Sequence, residues 1–375
     1  MRWEGKSDNG RDTVKLILQP DDGMGALLDG IENATQIIEI AIFRFDRSDI
    51  QHALENAAAR GVLVHALIAN TNRGGEDNLR QLEMDLLRAG IAVTRTAEDL
   101  LRYHYKFMIV DRQTLYLLTF NYTYLDISRT RSFGIVTRNS EVVKEARKLF
   151  DADVRRQAYV PGLDDLIVSP VNARQQLSRF LQGAEHQLLI YDPEISDPAM
   201  LRLLRDRAKA GVEIRVIGRI SKDPAGIGLS GLMRMRFHTR TILRDRHQAF
   251  VGSQSLRKAE LDERRELGMI LHNSNVVNVM LKAFEDDWST LVSSAEAPKQ
   301  DALKTTKAIR RAARILVKDL PPERLVEQAL QQAVHDIPDA QLSTRKFTHQ
   351  LEEAVRQAVE HAVSQAVREA AEVAA

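Results

Sequence analysis

The sequence predicts an α/β protein of two similar, pseudo-symmetric lobes followed by an all-helical C-terminal tail. Three observations carry that prediction. Short apolar, strand-like runs alternate with helix-like segments, the alternation occurs twice, and the composition changes after Trp288. Strands alternating with helices imply βαβ units and a largely parallel sheet covered by helices.

The first copy opens on Lys15-Leu16-Ile17-Leu18-Gln19-Pro20 and the second on Asp165-Leu166-Ile167-Val168-Ser169-Pro170, each an apolar strand ended by proline. Helix-like segments follow, Met24 to Ala34 and Ala173 to Ala184, and then the strand runs Gln36 to Phe43 and Gln187 to Tyr191. A further helix closes at Gly61 in one copy and Gly211 in the other, the residue that best tolerates a helix C-terminus, and a strand starts directly after it. Pro20 and Pro170, like Gly61 and Gly211, are 150 residues apart. These signals divide the chain into a polar segment at 1–11, lobes at 12–155 and 156–293, and a helical extension at 299–375.

The 375 residues, 44% hydrophobic and 28% charged, form a composition that buries a substantial core. A net charge of +1 gives no global attraction to nucleic acid, so steering of an anionic substrate must come from local patches. The absence of cysteine excludes disulfides, thiolate zinc sites and cysteine nucleophiles. The N-terminus, Met1 to Asp8, is polar, and no run of about 18 apolar residues occurs. A cytoplasmic protein is expected, with at most peripheral contact with membranes.

The chemistry lies at matching points of the repeat. His104-Tyr105-Lys106 followed by Asp111, and His238-Thr239-Arg240 followed by Asp245, both read His-x-(Lys/Arg)-x4-Asp at the start of an apolar run. Residues i and i+2 of a strand project to one face, so each histidine points with its cation. An imidazole beside a cation suits attack on a phosphodiester, because the cation neutralises phosphate oxygens while the imidazole attacks phosphorus or passes a proton. One such run is a weak signal; two at equivalent places are not. Each has a polar echo, Leu118-Thr119-Phe120-Asn121 and Gly252-Ser253-Gln254-Ser255, starting 7 residues after its aspartate.

These residues resemble the duplicated HKD motifs, each followed by Gly-Ser-x-Asn, of the phospholipase D superfamily. The resemblance covers roughly residues 12 to 293. It implies a duplicated sandwich of mixed sheet and helices, with one active site between the lobes that uses neither metal nor cofactor. In that family one histidine forms a covalent phosphohistidine, and the other protonates the leaving alcohol and then activates the incoming water or alcohol.

Departures from the family pattern make the halves unequal. Arg240 stands where lysine is usual, replacing a point charge by a planar fork. Leu118-Thr119 replaces Gly-Ser in the first copy and Ser255 replaces asparagine in the second, while the hydroxyls of Thr119 and Ser253 remain able to hold a phosphate oxygen. Thr119, Asn121, Ser253 and Ser255 are therefore the candidate phosphate ligands. The family also places an acidic residue downstream of each motif that orients the opposite histidine. Glu266, 28 residues after His238, fits that place, whereas Ser132 stands at the matching place after His104. Glu266 is thus expected to support His104 as nucleophile with Lys106. His238 is expected to be the acid/base, without a carboxylate partner and with Arg240 holding phosphate. Asp111 and Asp245 are expected to be structural. The erosion also admits a decayed phosphate-binding member.

Beyond a linker at Ser293 to Pro298, Lys304, Lys307, Arg311, Arg314 and Lys318 form a basic stripe at helical spacing. Leu351, Val355, Val359, Val363 and Val367 repeat every four residues near the end. A solvated face is the ordinary reading of the stripe, anionic headgroups the functional one, and self-association the expectation for the last helix. The expected substrate is a phospholipid, hydrolysed or transferred to an alcohol. The alternative is a nuclease, kept open by basic runs such as Arg234 to Phe237 beside His238.

Overall fold

The computed structural model describes residues 14–71, 76–221, 228–229 and 236–296. The expected N-terminal segment, the C-terminal helices with their basic and self-association faces, and the basic residue Arg234 lie outside the described residues. The chain divides into two compact units, Met1–Ser293 and Ser294–Ala375. The stretch read as a linker from Ser293 is helical as far as Glu296.

The first lobe runs β1 (Val14–Gln19), α1 (Gly25–Glu32), β2 (Ile37–Ile42), α2 (Ser48–Ala59), β3 (Leu63–Ile68), α3 (Glu76–Arg88), β4 (Ala92–Arg95), β5 (Arg102–Tyr103), β6 (Phe107–Val110), β7 (Thr114–Leu118), α4 (Tyr124–Arg129), β8 (Thr130–Thr137) and α5 (Ser140–Val154). The second runs β9 (Leu166–Ser169), α6 (Ala173–Gln182), β10 (Gln187–Ile195), α7 (Pro198–Lys209), β11 (Glu213–Ile220), β12 (Gly228–Leu229), β13 (Arg236–Phe237), β14 (Arg240–Arg244), β15 (Gln248–Gly252), α8 (Lys258–Asp262), β16 (Arg264–Leu271) and α9 (Ser274–Glu296).

Local chemistry sets the ends of these helices. Asn139 accepts hydrogen bonds from the Glu141 and Val142 amides at the start of α5, and Asp197 does the same for Ala199 and Met200 before Pro198 of α7. After α2 and α7 the chain turns through Gly61 and Gly211 at φ +91° and +93°, which lets the Val62 and Val212 amides reach back to Ala57 and Arg207.

The sheets are mixed, as the family resemblance implies and in place of the largely parallel arrangement that strand–helix alternation alone suggests. The first has the order β1-β8-β7-β6-β2-β3-β4 and the second β9-β16-β15-β14-β10-β11-β12, the same path twice. Parallel pairing joins β2–β3–β4 and β10–β11–β12, where a helix supplies each of the crossovers β2–β3, β3–β4 and β10–β11. The β6–β7 and β14–β15 connections are short turns, which force antiparallel neighbours. Asp111 and Asp245 sit in those turns at positive φ and accept hydrogen bonds from the amides that open the central strands: Thr35, Gln36 and Ile37 for one, Glu185, His186 and Gln187 for the other.

Each sheet is covered on both faces, so its central strands are mostly apolar, with Glu39 on β2 and Asp192 on β10 buried among them. On β6, Met108 and Val110 face the outer core with α1, α2 and α3, whereas Phe107 and Ile109 face a core shared by both lobes, filled by α5 and α9. Two buried ion pairs cross that shared core. Arg265 donates to Asp153 at 3.0 Å and Arg131 to Asp287 at 3.0 Å, and Tyr105 and Tyr191 donate to the same two carboxylates at 2.7 and 2.6 Å. Breaking a buried pair strands a charge, so Arg265→Met should cost about 3–5 kcal/mol of stability. Adding Asp153→Leu should recover most of that loss; urea unfolding of the single and double variants measures both.

Candidate active site

The short strands next to the two histidines exchange between lobes. β5 leaves its own sheet to pair with β16, in the register Arg264 to Arg102 and Arg265 to Tyr103. β13 reciprocally pairs with β8, in the register Arg236 to Thr130 and Phe237 to Arg131. The exchange ends on the histidines: the His104 amide donates to the Arg265 carbonyl at 2.8 Å, and the His238 amide to the Arg131 carbonyl at 3.0 Å. The next residue on the host strand is Glu266 in one case and Ser132 in the other. A sequence separation of 162 residues between His104 and Glu266 is closed this way.

His104 is 5% exposed and Glu266 fully buried, with Nδ1 of the imidazole 2.8 Å from the carboxylate Oε2. A carboxylate can only accept, so Nδ1 carries the proton and the Nε2 lone pair is left for chemistry. The Lys106 ammonium meets that lone pair, with Nζ 3.0 Å from Nε2, and also donates to the His104 carbonyl at 2.6 Å. Phe43 packs its ring edge-on to His104 at 4.5 Å, with the Arg44, Arg102 and Lys106 cations 5.1–5.7 Å from its centre. Burial, and after it the Lys106 and Arg240 charges, hold His104 well below the ordinary imidazole range, so it is neutral at physiological pH. Burial also pushes the Lys106 ammonium down to about 7 and raises the Glu266 carboxyl, the latter opposed by Lys106.

The imidazole of His238 lies across from that of His104, with ring centres 6.1 Å apart. Its Nδ1 donates to the Thr119 carbonyl at 3.0 Å, which again leaves Nε2 as the lone-pair nitrogen. The Asp126 carboxylate, on α4 of the opposite lobe, stands 3.7 Å from the same Nδ1. Ser132 therefore does not leave His238 without a carboxylate; the charge comes from another element. Arg240 donates to the His238 carbonyl at 2.8 Å and to the Ser255 hydroxyl at 3.3 Å, with Glu260 3.9 Å from its Nε.

The structure thus brings His104, Lys106, His238, Arg240 and Glu266 together and adds Asp126, Glu260 and Phe43, which sequence reasoning missed. Asp126 and Glu260 are both 2% exposed and occupy equivalent places on α4 and α8. Their spacing matches that of His104 to His238, so the repeat carried the signal. Asn121 donates its amide and side-chain nitrogens to Asp126 at 3.0 and 2.6 Å, and the Ser255 amide donates to Glu260 at 2.6 Å. The Thr119 and Ser253 hydroxyls are fully buried and accept from the Phe133 and Leu267 amides, and Ser253 also hydrogen-bonds the Glu266 carboxyl. Asp111 and Asp245 lie in the turns already described. Among the described residues, no three His, Asp or Glu side chains group as a metal site.

The family model described as "Cardiolipin synthase, PLD-like domain" matches residues 27–154 and 177–288, and the chain belongs to that family. No curated protein matches the chain in sequence. The fold resembles polyphosphate kinase from Porphyromonas gingivalis, at 19% identity and a TM-score of 0.63 over 73% of this chain. That match spans half of the kinase's length. The fold also resembles phosphatidylserine synthase from Haemophilus influenzae Rd KW20, at 11% identity and a TM-score of 0.55 over 74% of this chain and 86% of the synthase.

An amine with a pKa of about 7 is cationic below that value and neutral above it. Sulfate, whose charge is constant near neutrality, should therefore bind about tenfold more weakly at pH 8.5 than at pH 6. Lys106→Arg, which stays charged, should flatten that dependence; calorimetric titration at the two pH values reads both.

Proposed function

We propose that this chain cleaves phosphodiesters of phospholipids through a covalent phosphohistidine and passes the phosphatidyl group to water or an alcohol. The arrangement that carries this reading is the pair of imidazoles, one from each lobe, with both Nδ1 atoms anchored and both Nε2 atoms left for one phosphoryl group. His104 is the nucleophile, because its direct bond to Glu266 stabilises the positive charge that develops on the ring as Nε2 bonds to phosphorus.

A phosphodiester entering the site carries a negative charge that favours the cationic forms of Lys106 and His238. Lys106 then turns from His104 Nε2 to a phosphate oxygen and frees the lone pair, while Arg240 neutralises the oxygens from the second lobe. His104 Nε2 attacks phosphorus, the bond to the leaving oxygen breaks, and protonated His238 gives that oxygen its proton. Neutral His238 next takes a proton from water or an alcohol. The resulting oxygen nucleophile attacks phosphorus, and the bond to His104 breaks.

The lipid assignment rests on the family model and on the rim of the site. Tyr124 and Leu125 on α4 are 53% and 47% exposed, on the helix whose Asp126 faces His238. The Arg47 and Arg129 guanidinium groups stand 5.8 and 5.7 Å from the Tyr124 ring centre. An apolar pair beside arginines suits peripheral contact with an anionic lipid surface. Among the described residues no helix is long and apolar enough to cross a membrane.

Turnover of phosphatidylglycerol, phosphatidylcholine and single-stranded DNA by the purified protein tests the substrate. Lipid turnover is expected, and turnover of DNA alone would establish a nuclease instead. His104→Ala should abolish turnover, and His238→Ala should lower it by about 100- to 10,000-fold. Mass spectrometry of acid-labile phosphoenzyme should place the label on His104; label on His238 reverses the two roles.

A further inference from the structure

Position 132 holds serine where the equivalent Glu266 supports the opposite histidine, yet a second carboxylate is buried at His238. Asp126 is 2% exposed, and its Oδ2 accepts two hydrogen bonds from Asn121 while standing 3.7 Å from His238 Nδ1. The Thr119 carbonyl accepts a hydrogen bond from Nδ1–H and fixes the ring, and Asp126 adds a negative charge behind it. The equivalent Glu260 is engaged differently: it accepts from the Ser255 amide and from Arg264 at 3.1 Å, and faces Arg240. One carboxylate is therefore given to each imidazole across the lobe boundary, Glu266 to His104 and Asp126 to His238.

We infer that Asp126 is the positioning residue for His238, performing from α4 the role that β8 surrenders at Ser132. The proposal rests on the reading of His238 as the acid/base. Lys106, Arg240 and His104 also face His238, and all three oppose its protonation, as does burial itself. Among the named neighbours Asp126 is the group that favours the cation. His238 rests neutral even so, and takes up its proton with the negative charge of the substrate; the fixed anion lowers the cost of that step against three cationic or basic neighbours in a dry site. Asn121, which orients Asp126 through both of its nitrogens, then acts on His238 at one remove.

Asp126→Asn removes the charge and keeps an oxygen for Asn121. With sulfate saturating the site, NMR titration of the imidazole carbons, assigned with His104→Gln and His238→Gln, should show His238 titrating about one pH unit lower and His104 unmoved. Phosphatidylglycerol, whose alkoxide needs a proton to leave, should turn over about 100-fold more slowly. Phosphatidyl-p-nitrophenol, whose phenolate leaves unaided, should lose less than about threefold, and Ser132→Glu in the same background should restore the alkyl ester. Equal losses on both esters, or an unmoved His238 titration, would overturn the inference in favour of a packing role for Asp126. Should Asp126→Asn not fold, Ser132→Glu alone decides. It should leave alkyl-ester turnover unchanged, and a gain of about tenfold or more would show that His238 had lacked its carboxylate. Failure of the wild type on both esters would reject the phosphodiesterase reading, while the titration still decides whether Asp126 acts on His238.

Discussion

The site depends on a reciprocal exchange between lobes. Each histidine follows a two-residue strand that pairs with the other lobe's sheet, and the arginine paired with it or next to it reaches a buried aspartate on the other lobe's long helix. The backbone ladder and the ion pair use the same residues, Arg131 and Arg265. Neither half can therefore shift without disturbing the other's histidine. A buried ion pair adds little net stability against an apolar replacement, but it penalises any arrangement that leaves one partner alone. Here that penalty acts on the angle and register between two lobes, and so on the distance between two imidazoles.

Within that frame the electrostatics are closely balanced. Lys106, Arg240 and two imidazoles share a nearly dry space with Glu266, Asp126 and Glu260. Burial disfavours every charge, so each cation survives by facing a carboxylate, and the imidazoles rest neutral. The contact of Lys106 with His104 follows from this balance: the ammonium meets both the Nε2 lone pair and the carbonyl of that residue. On the proposed mechanism an arriving phosphodiester would supply the missing negative charge, making substrate binding and activation of His104 one event.

The two departures in the second motif compensate each other. Arg240 is longer than the lysine of the first copy, and Ser255 is shorter than Asn121. The serine hydroxyl accepts from Arg240 Nε, where an asparagine side chain would occupy the same space. The second half is thus a repacked cation site, which speaks against a decayed one. On the proposed mechanism the asymmetry has a chemical use. A nucleophile profits from a directly bonded carboxylate that stabilises its covalent cation, whereas an acid/base must both give and take a proton, which a charge at 3.7 Å permits.

Much of this was legible in the sequence because local rules wrote it. Prolines, C-terminal glycines and apolar runs repeated at one spacing disclosed two α/β lobes, and paired His-x-(Lys/Arg)-x4-Asp runs disclosed the histidines and cations that the fold brings together. The placement of Glu266 beside His104 was implied by the family resemblance, which puts an acidic residue downstream of each motif. Strand direction was legible only through the family resemblance, which implied mixed sheets, because alternation of helix and strand does not show that the chain returns by hairpins through β6, β7 and β8. The partner of His238 was misread. A comparison made position by position sees the serine at 132 and records a loss, but a carboxylate's effect depends on distance in space. The residue types and their order thus determined which groups are candidates for the chemistry. Only the tertiary structure, by swapping β5 and β13 between sheets and folding α4 against His238, decided which carboxylate each histidine faces, since that pairing is set by contacts between chain segments more than a hundred residues apart.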